Sequence, residues 1–332
     1  MKELYLVTGA LGHLGNTIIR RLLDQRKSVR GLALPNDTSA ALKGLPVPLF
    51  RGDLLDPPSL DAFFKADGHC ILKVIHTAGI VSIASHHDQR IYDVNVTGTM
   101  NLINKCREFD VERLVYTSSV HAIPALEGQR VMTEAFCPDP SAVYGAYAQT
   151  KAQATLRVLE SAEHGLDAVV VYPSGIIGPN DFGHGHLTQL VRDYLAGRLT
   201  ACIRGGYDFV DVRDVADGVI SAADNGRKGE GYILSGSFCE IPRLLQMLSD
   251  LSGKKPVKTV LPAWFAKWTA PLAETYYKLR RQPPLYTGYS LLVLTSNGNF
   301  SCQKAVKELG YHPRPLEDTL RDTVSWLQRA SS

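Results

Sequence analysis

Short apolar runs alternate with longer segments of helical periodicity along much of the chain. The first run, LYLVTG at 4–9, is β-prone and stops at a glycine, as buried parallel strands do. The next segment places Leu14, Ile18 and Leu22 on one face of a helix. This alternation predicts an α/β fold with a Rossmann-type, doubly wound parallel sheet.

Later segments repeat the strand pattern, with helical segments between them. They are SVRGLAL (28–34), VPLFRGDL (47–54), VIHTAG (74–79), RLVYTSS (113–119) and DAVVVYPSG (167–175). We expect two lobes. The dinucleotide-binding lobe would comprise 1–172 plus 206–235, and a smaller, mainly C-terminal substrate-binding lobe would comprise 173–205 plus 236–330.

Composition fits this picture and narrows the partners. The chain has 332 residues, of which 45% are hydrophobic and 21% charged, and a formal net charge of +3. These values are typical of a globular protein, and without clustered Lys and Arg they give no reason to expect a nucleic-acid partner. We therefore expect no nucleic-acid partner.

Cysteine usage and the absence of targeting patterns favour a cytoplasmic location. The six cysteines are scattered, with no CxxC, which favours reduced thiols over disulfides or a zinc site. The N-terminus leads directly into a strand pattern without the features of a signal peptide. No uncharged apolar run is long enough for an integral membrane segment.

The glycines at Gly9, Gly12 and Gly15 stand between the first strand and the first helix. Glycine here permits a tight turn and close approach of the backbone to a pyrophosphate. The N-terminus of the helix adds unpaired N–H groups and the positive end of its dipole. This arrangement predicts nucleotide binding, although a glycine-rich turn without a ligand is the alternative.

Further motifs follow in a defined order. They are TGALGHLG, GDLLDPPSL, HTAG, YDVNVTGT, LVYTSS, YAQTK, YPSGIIGP and FVDVRDVA. Together they resemble the extended short-chain dehydrogenases/reductases, the NAD-dependent epimerase/dehydratase superfamily, over nearly the whole chain. The branch with dihydroflavonol reductases and 3β-hydroxysteroid dehydrogenases is the most similar. The resemblance implies an NAD(P)-dependent oxidoreductase that interconverts a ketone or aldehyde and an alcohol, with a small-molecule substrate as its partner.

The resemblance also implies roles for the residues of the candidate catalytic site. Tyr147 and Lys151 are four apart, on one face of a helix. Tyr147 would be the general acid/base, and Lys151 would hold the cofactor ribose and lower the phenol pKa from its usual ~10. Ser119, rather than Ser118, would donate to the substrate carbonyl. Asn95 would hold a proton-relay water, or cap the following helix.

Cofactor contacts are implied along the motifs. Asp53 and Leu54 match residues that contact the adenine, and His13 is expected near the phosphates unless it points to solvent. The full predicted set is Gly9, Leu11, Gly12, His13, Leu14, Gly15, Asp53, Leu54, Thr77, Ala78, Gly79, Tyr147, Lys151, Pro173 and Ile176.

The choice between NADP and NAD depends on the end of the second strand. NAD-binding folds place an acidic residue about 20 positions after the glycine loop, and here that position is Ala33. The basic residue that NADP-using relatives carry nearby is also missing, since Leu34 and Pro35 occupy the area. Because no carboxylate repels a 2′-phosphate and the segment 36–39 is polar, we favour NADP over NAD.

Three reactions compete within the resemblance. Dehydratases carry an Asp-Glu pair after the catalytic serine, where this chain has Val120 and His121. Nucleotide-sugar epimerases carry an asparagine where Ser174 and Gly175 stand. A carbonyl reductase acting on a largely apolar substrate is favoured. The epimerase, and a non-catalytic dinucleotide-binding redox regulator, stay open as alternatives.

The substrate lobe contains two further candidate regions. The aromatic and basic segment 264–281 is core packing, an apolar lid or a membrane-surface contact. In GHGH at 183–186, His184 and His186 are expected to contact substrate, as is His121, and we expect no metal because no pattern completes a site.

A homodimer is the remaining expectation. Relatives in this family often dimerise through the helix that carries the Tyr/Lys pair. An apolar stripe on that helix could equally be buried within one chain, so the sequence leaves both alternatives open.

Overall fold

Parallel strands with helices on both faces form the centre of the protein. The computed structural model describes residues 2–66, 68, 70–82, 88–126, 130–183, 185–262, 264 and 288–330. The strands are β1 Lys2–Thr8, β2 Ser28–Ala33, β3 Leu49–Arg51, β4 Cys70–His76, β5 Arg113–Thr117, β6 Ala168–Pro173, β7 Gly175–Ile177, β8 Ala201–Ile203, β9 Gly206–Asp211, β10 Gly231–Leu234, β11 Ser237–Glu240 and β12 Thr259–Leu261.

The helices alternate with these strands as the sequence predicts. They are α1 His13–Asp24, α2 Asp61–Phe64, α3 Gln89–Tyr92, α4 Gly98–Glu108, α5 Ala146–Glu163, α6 His186–Leu195, α7 Val212–Asn225, α8 Ile241–Ser252, α9 Gly288–Thr295, α10 Gln303–Leu309 and α11 Leu316–Ala330.

The main sheet has seven parallel strands in the order β10-β6-β5-β4-β1-β2-β3. Two apolar clusters cover its faces. Val7 packs in the cluster with α1 and α7, and Leu6 in the cluster with Phe63 and α5. Because successive side chains of a strand point to opposite faces, a strand buried on both sides is apolar throughout. The predicted doubly wound parallel sheet is confirmed.

A second, smaller sheet lies beside the carboxyl ends of the first, in the order β11-β9-β7. The chain leaves the main sheet at Pro173 and enters the small one at Gly175. A third apolar cluster, with Phe209, Leu244 and Leu320, packs around this sheet. A cleft therefore lies at the carboxyl ends of the parallel strands, where open α/β sheets bind ligands.

The lobes interleave along the chain. The segment 206–211 pairs within the small sheet, whereas α7 packs against α1 and β10 joins the main sheet. Ala305, Leu309 and Tyr311 pack in the cluster with α1 and α7 as well. The predicted division into 1–172 plus 206–235 and the rest stays a prediction.

Among the described residues, no helix combines the length and apolarity that crossing a bilayer requires. All six cysteines are free thiols, three of them buried.

Candidate active site

The glycine loop is packed too tightly for side chains. Gly9 has a φ of +64°, and a Cβ on Gly15 would lie 2.1 Å from the Gly9 carbonyl oxygen. Gly12 caps α1 without a side chain, and the first turn of this helix has no acidic residue. The loop therefore offers backbone N–H groups and an uncancelled dipole to an anion, and it fits the pyrophosphate of a dinucleotide.

The start of α1 is tied to the loop that follows β7. The His13 imidazole Nε2 lies 3.0 Å from the Pro179 carbonyl oxygen, and Asn16 Nδ2 donates to the Asn180 carbonyl oxygen at 3.1 Å. Burial lowers the pKa of His13. The imidazole thus points to this loop rather than to bulk solvent, while its backbone remains at the helix N-terminus.

Tyr147 lies in the first turn of α5 and is almost fully buried, with 8% of its surface exposed. Burial raises the pKa of its phenol to about 12, and the Ser119 side chain beside it partly offsets the rise. The expected lowering of this pKa by Lys151 is wrong for this structure, because desolvation of the phenol dominates. Ser118 is bonded elsewhere, because its hydroxyl lies 2.6 Å from that of Thr155. Ser119 is thus the serine that contacts the phenol.

Lys151 lies one turn further along α5, with 5% of its surface exposed. Its ammonium group donates to the Thr117 carbonyl oxygen at 2.7 Å and lies 5.0 Å from the centre of the Tyr116 ring. Burial lowers the pKa of Lys151 to about 8. A Cβ on Gly79 would lie 3.5 Å from Nζ, so the lysine faces the HTAG turn.

Asn95 sits inside a π-helical turn, Asp93–Thr97, between α3 and α4. Its side-chain amide binds the backbone of Ile80 in both directions, accepting from N–H at 2.8 Å and donating to C=O at 3.0 Å. It also donates to the Thr150 hydroxyl at 3.2 Å. The alternative that Asn95 caps the following helix is wrong. The helix α3, the π turn and α4 follow one another without a break, so Asn95 lies within a helical stretch. The Asn95 side chain bonds to Ile80 and Thr150, which lie outside this stretch. π turns are frequent at functional sites.

His76 closes β4 beneath this group and is fully buried. Its two ring nitrogens lie 2.7 Å from the Thr8 hydroxyl and 3.1 Å from the Thr99 hydroxyl. Burial, together with the charge on Lys151, lowers the pKa of His76 to about 3. The imidazole is therefore neutral and joins β1, β4 and α4 without adding a second charge.

His121 follows Ser119 on a short 3₁₀ turn and faces the small sheet. Its Nε2 lies 2.7 Å from the Tyr207 hydroxyl, the two rings stack at 5.7 Å, and the Tyr147 ring lies edge-on at 6.0 Å. Burial lowers the pKa of His121 to about 4, so the ring is neutral. His121 and Tyr207 form one wall of the cleft next to the phenol.

Ser174 occupies the crossing between the two sheets. Its hydroxyl donates to the buried carboxylate of Asp208, which also accepts from the Gly236 N–H at 2.8 Å. Burial raises the pKa of Asp208 to about 6. The Ser174 hydroxyl is therefore committed to Asp208.

The predicted cofactor contacts line the carboxyl edge of the main sheet. Thr77 donates to the Thr8 carbonyl oxygen at 2.7 Å and, with Ala78, packs against Gly9. Asp53 accepts from the Leu55 N–H at 2.9 Å. The remaining predicted residues lie at this edge or just beyond it and are buried or half-buried: Leu11, Leu14, Leu54, Pro173 and Ile176.

Some predicted substrate contacts are not placed by the structure. His184 lies outside the described residues, as does the segment 264–281 apart from Trp264, which is exposed. His186 is exposed at the start of α6. Within the described ranges, no group of three or more His, Cys, Asp or Glu side chains could hold a metal ion.

Two further residues near the site were not among the predicted contacts. Tyr207 lies in β9, two residues before the FVDVRDVA motif, and reaches His121 because the small sheet lies beside the carboxyl ends of the main sheet. Arg51 ends β3 and reaches the loop after β2, since those strands pair. Both residues stand next to quoted motifs, but the contacts that bring them to the site depend on strand pairing, which the motifs do not give.

Comparison with known proteins identifies the family. The model described as NAD dependent epimerase/dehydratase family matches residues 5–235. The chain is 33% identical to "Sterol demethylase protein B" of Methylococcus capsulatus over 97% of this chain and 98% of the relative. It is 30% identical to a Synechocystis protein provisionally named dihydroflavonol 4-reductase, over 99% and 95%.

Structural comparison agrees with these matches. The crystal structure titled gox2253 superposes with a TM-score of 0.86 at 31% identity, over 99% of both chains. The dihydroflavonol reductase relative lies in the branch that the motifs predict. The chain thus belongs to the NAD-dependent epimerase/dehydratase family, that is, to the extended short-chain dehydrogenases/reductases.

Proposed function

We propose that the protein transfers hydride between a nicotinamide cofactor and a largely apolar substrate, interconverting a ketone or aldehyde and an alcohol. The observation that carries this proposal is the position of the Tyr147 phenol, which is buried beside the Ser119 side chain, with Lys151 one turn away on the same helix. A carbonyl oxygen placed between the two hydroxyls would meet two donors, which is the geometry that carbonyl reduction requires.

Each residue of the group has a separate task. When bound, the nicotinamide supplies the hydride. Tyr147 gives its proton to the substrate oxygen in reduction and takes one in oxidation. The Lys151 ammonium stabilises the phenolate that forms, and Asn95 fixes the turn at Ile80 beside the lysine. The neutral His76 holds the base of the site without competing for the proton.

The surroundings favour an apolar substrate. A cavity of about 160 Å³ extends from His121 and Tyr207. Its apolar lining includes Ile123, Met132, Val143, Leu292 and Phe300. Apolar surface in a cleft beside a few polar groups is typical of a site that takes a hydrophobic ligand. The names of the two relatives, a sterol demethylase protein and a dihydroflavonol reductase, support a ring-containing apolar substrate.

The same surroundings disfavour a nucleotide-sugar. Where epimerases of this family are expected to hold the diphosphate with an asparagine, Ser174 is bonded to the Asp208 carboxylate. With a pKa of about 6, Asp208 is largely ionised at neutral pH, and a buried negative charge repels a diphosphate. Among the cofactors, we favour NADP, because Ala33 and Leu34 leave the end of β2 without a carboxylate.

Reduced-cofactor oxidation tests the proposal. NADPH and NADH are compared on ketosteroids, flavonoid-type ketones, small aldehydes and UDP-sugars. We expect turnover of an apolar ketone, and a loss of about 10²- to 10⁴-fold in Tyr147→Phe, which lacks the acid/base hydroxyl. Tyr92→Phe, an exposed tyrosine on α3, is the matched control. A failure of every apolar ketone and aldehyde to oxidise either cofactor, or full activity in Tyr147→Phe, would contradict the proposal.

A further inference from the structure

The end of β2 leaves the ribose of a dinucleotide without an obvious partner. In this fold the residue at that strand end approaches the 2′ position, where an acidic residue selects NAD or a nearby arginine accepts NADP. Here Ala33 ends the strand and Leu34 follows it, half exposed. Recognition of the 2′ position must therefore come from a neighbouring element.

Arg51 is the basic residue that the neighbouring strand brings to this place. It ends β3, directly opposite Ala33 in the parallel register. Its Nη1 donates to the carbonyl oxygens of Leu34 at 3.0 Å and Asp37 at 2.8 Å. The guanidinium group thus lies across the loop that follows β2, and it is exposed rather than buried.

The two carbonyl contacts involve only one nitrogen of the Arg51 guanidinium group, Nη1. Among the described residues, neither Nε nor Nη2 of Arg51 donates a hydrogen bond, and no carboxylate forms an ion pair with it. A guanidinium group has five N–H donors in a planar fork that suits two phosphate oxygens. The two carbonyl contacts therefore orient the group and leave donors for an anion.

The other charged residues at the loop after β2 do not neutralise the charge of Arg51. Asp37 accepts from the Ser39 N–H at 2.9 Å, so its carboxylate closes a turn within the loop. Arg20 holds the far end by donating to the Ala41 carbonyl oxygen at 2.6 Å, and to Asn16 at 3.2 Å. Arg20 is committed to the protein, whereas Arg51 faces outward.

We propose that Arg51 binds the 2′-phosphate of NADP and makes the protein NADP-preferring. This inference rests on the proposed function, in which a nicotinamide dinucleotide lies across the strand ends. The Ser39 hydroxyl lies in the same loop, and it retains its own proton to donate while it accepts from the Ala41 N–H at 3.3 Å. The sequence hides this role because Arg51 belongs to a different strand from the one that is normally inspected.

Binding of the cofactor fragments 2′,5′-ADP and 5′-ADP, measured by calorimetry, tests the proposal without any substrate. The wild-type protein should bind 2′,5′-ADP more tightly than 5′-ADP. In Arg51→Gln the affinity for 2′,5′-ADP should fall about 10- to 100-fold, the range for a charged hydrogen-bonded pair, while 5′-ADP affinity is retained. Arg51→Lys should keep part of the preference, since it keeps the charge but not the fork.

Arg30→Gln is the matched control. Arg30 also donates to two backbone carbonyls, those of Phe63 at 3.2 Å and Lys65 at 2.5 Å, but it packs on the Phe50 ring away from the loop. Removing it should leave the ratio of the two affinities unchanged. The preference should also weaken as ionic strength rises, because both charges are exposed to salt.

Several outcomes would overturn the assignment. Equal or tighter binding of 5′-ADP by the wild-type protein would do so. So would an equal fall of both affinities in Arg51→Gln, which would show that the arginine only holds the loop, or a preference that survives the substitution. An intact, Arg51-dependent preference in a protein that turns over no ketone would support the assignment and contradict the proposed reaction.

Discussion

At the scale of single residues, burial moves the two proton-handling groups in opposite directions. It raises the pKa of Tyr147 to about 12 and lowers that of Lys151 to about 8. Desolvation disfavours whichever form is charged, so the phenol keeps its proton and the ammonium gives its proton up more easily. Near neutral pH the site therefore holds a protonated tyrosine beside a charged lysine, which is the state that reduction needs.

A pH profile follows from these values. Lys151 is charged below its pKa and neutral above it, so the rate of ketone reduction should be level near pH 7. Above about pH 8 it should fall, by about tenfold per unit, as the charge that stabilises the phenolate is lost. Tyr147, with a pKa of about 12, stays protonated throughout this range.

The variant Lys151→Arg identifies the group responsible. Arginine stays charged at every accessible pH, so the alkaline decline should shift upward even if the maximal rate is lower. The measurement is kcat for reduction against pH in both proteins. A decline at the same pH in Lys151→Arg would assign it to another group.

At the scale of elements, the turn between β1 and α1 depends on two close backbone approaches. A Cβ on Gly15 would lie 2.1 Å from the Gly9 carbonyl oxygen, whereas one on Gly12 would lie 3.2 Å from the same atom. We expect Gly15→Ala to open the turn, at a cost of about 1–3 kcal/mol in the free energy of unfolding, and to abolish dinucleotide binding. Gly12→Ala should have the smaller effect on unfolding.

Denaturant unfolding and fragment binding check this contrast. Both variants add one methyl group to the same loop, so composition cannot explain a difference between them. Equal losses of stability in the two proteins would show that the close approach at Gly15 is not the constraint.

The π turn at Asp93–Thr97 gives a second prediction at this scale. Asn95→Ala removes three side-chain hydrogen bonds and leaves the partly buried N–H and C=O of Ile80 without their side-chain partner. We expect the free energy of unfolding to fall by about 2–3 kcal/mol. Asn101→Ala, on α4, removes one bond to the Leu54 carbonyl oxygen and should cost about 1 kcal/mol.

Chemical denaturation of both asparagine variants provides the measurement. The larger loss in Asn95→Ala is expected because three side-chain hydrogen bonds are removed at once, against one in Asn101→Ala. A similar loss in both would show that water replaces the Asn95 side chain at Ile80.

The strands show which parts of the fold the sequence pattern predicts. Strands such as AVVVYP (168–173) are predictable because both faces are buried. The ends of the strands are harder to predict. The sequence pattern predicts strands that reach Gly79 and Ser119, but β4 and β5 end at His76 and Thr117. The residues after these strand ends, 77–79 and 118–119, are small or polar, and they turn out of the sheet to form the site.

The candidate site likewise contains residues that the sequence predicts and residues that it does not. Tyr147 and Lys151 are neighbours on one helix, so local spacing and motif order predict them. Tyr207 and Arg51 reach the site through pairing between distant strands, which local patterns do not encode. Hydrogen-bond partners, such as Thr155 for Ser118, likewise depend on packing.

At the scale of the whole molecule, residues distant in the chain complete each part of the cofactor cleft. Helix α7 packs on α1, and β10 completes the edge of the main sheet next to β6. The loop after β7 supplies the carbonyl groups of Pro179 and Asn180 to His13 and Asn16. The glycine loop is local in sequence, but its final shape depends on contacts made much later in the chain.

The contacts of the Pro179 and Asn180 carbonyl groups with the start of α1 have a consequence for synthesis on the ribosome. The glycine loop emerges early, but the carbonyls that hold α1 from the side of Pro179 and Asn180 emerge only after more than half of the chain is made. At about 5–20 residues per second, that delay is on the order of ten seconds. The nascent chain therefore passes through a stage with an N-terminal α/β core and an incomplete dinucleotide cleft, and the cofactor can fully stabilise the fold only after this stage.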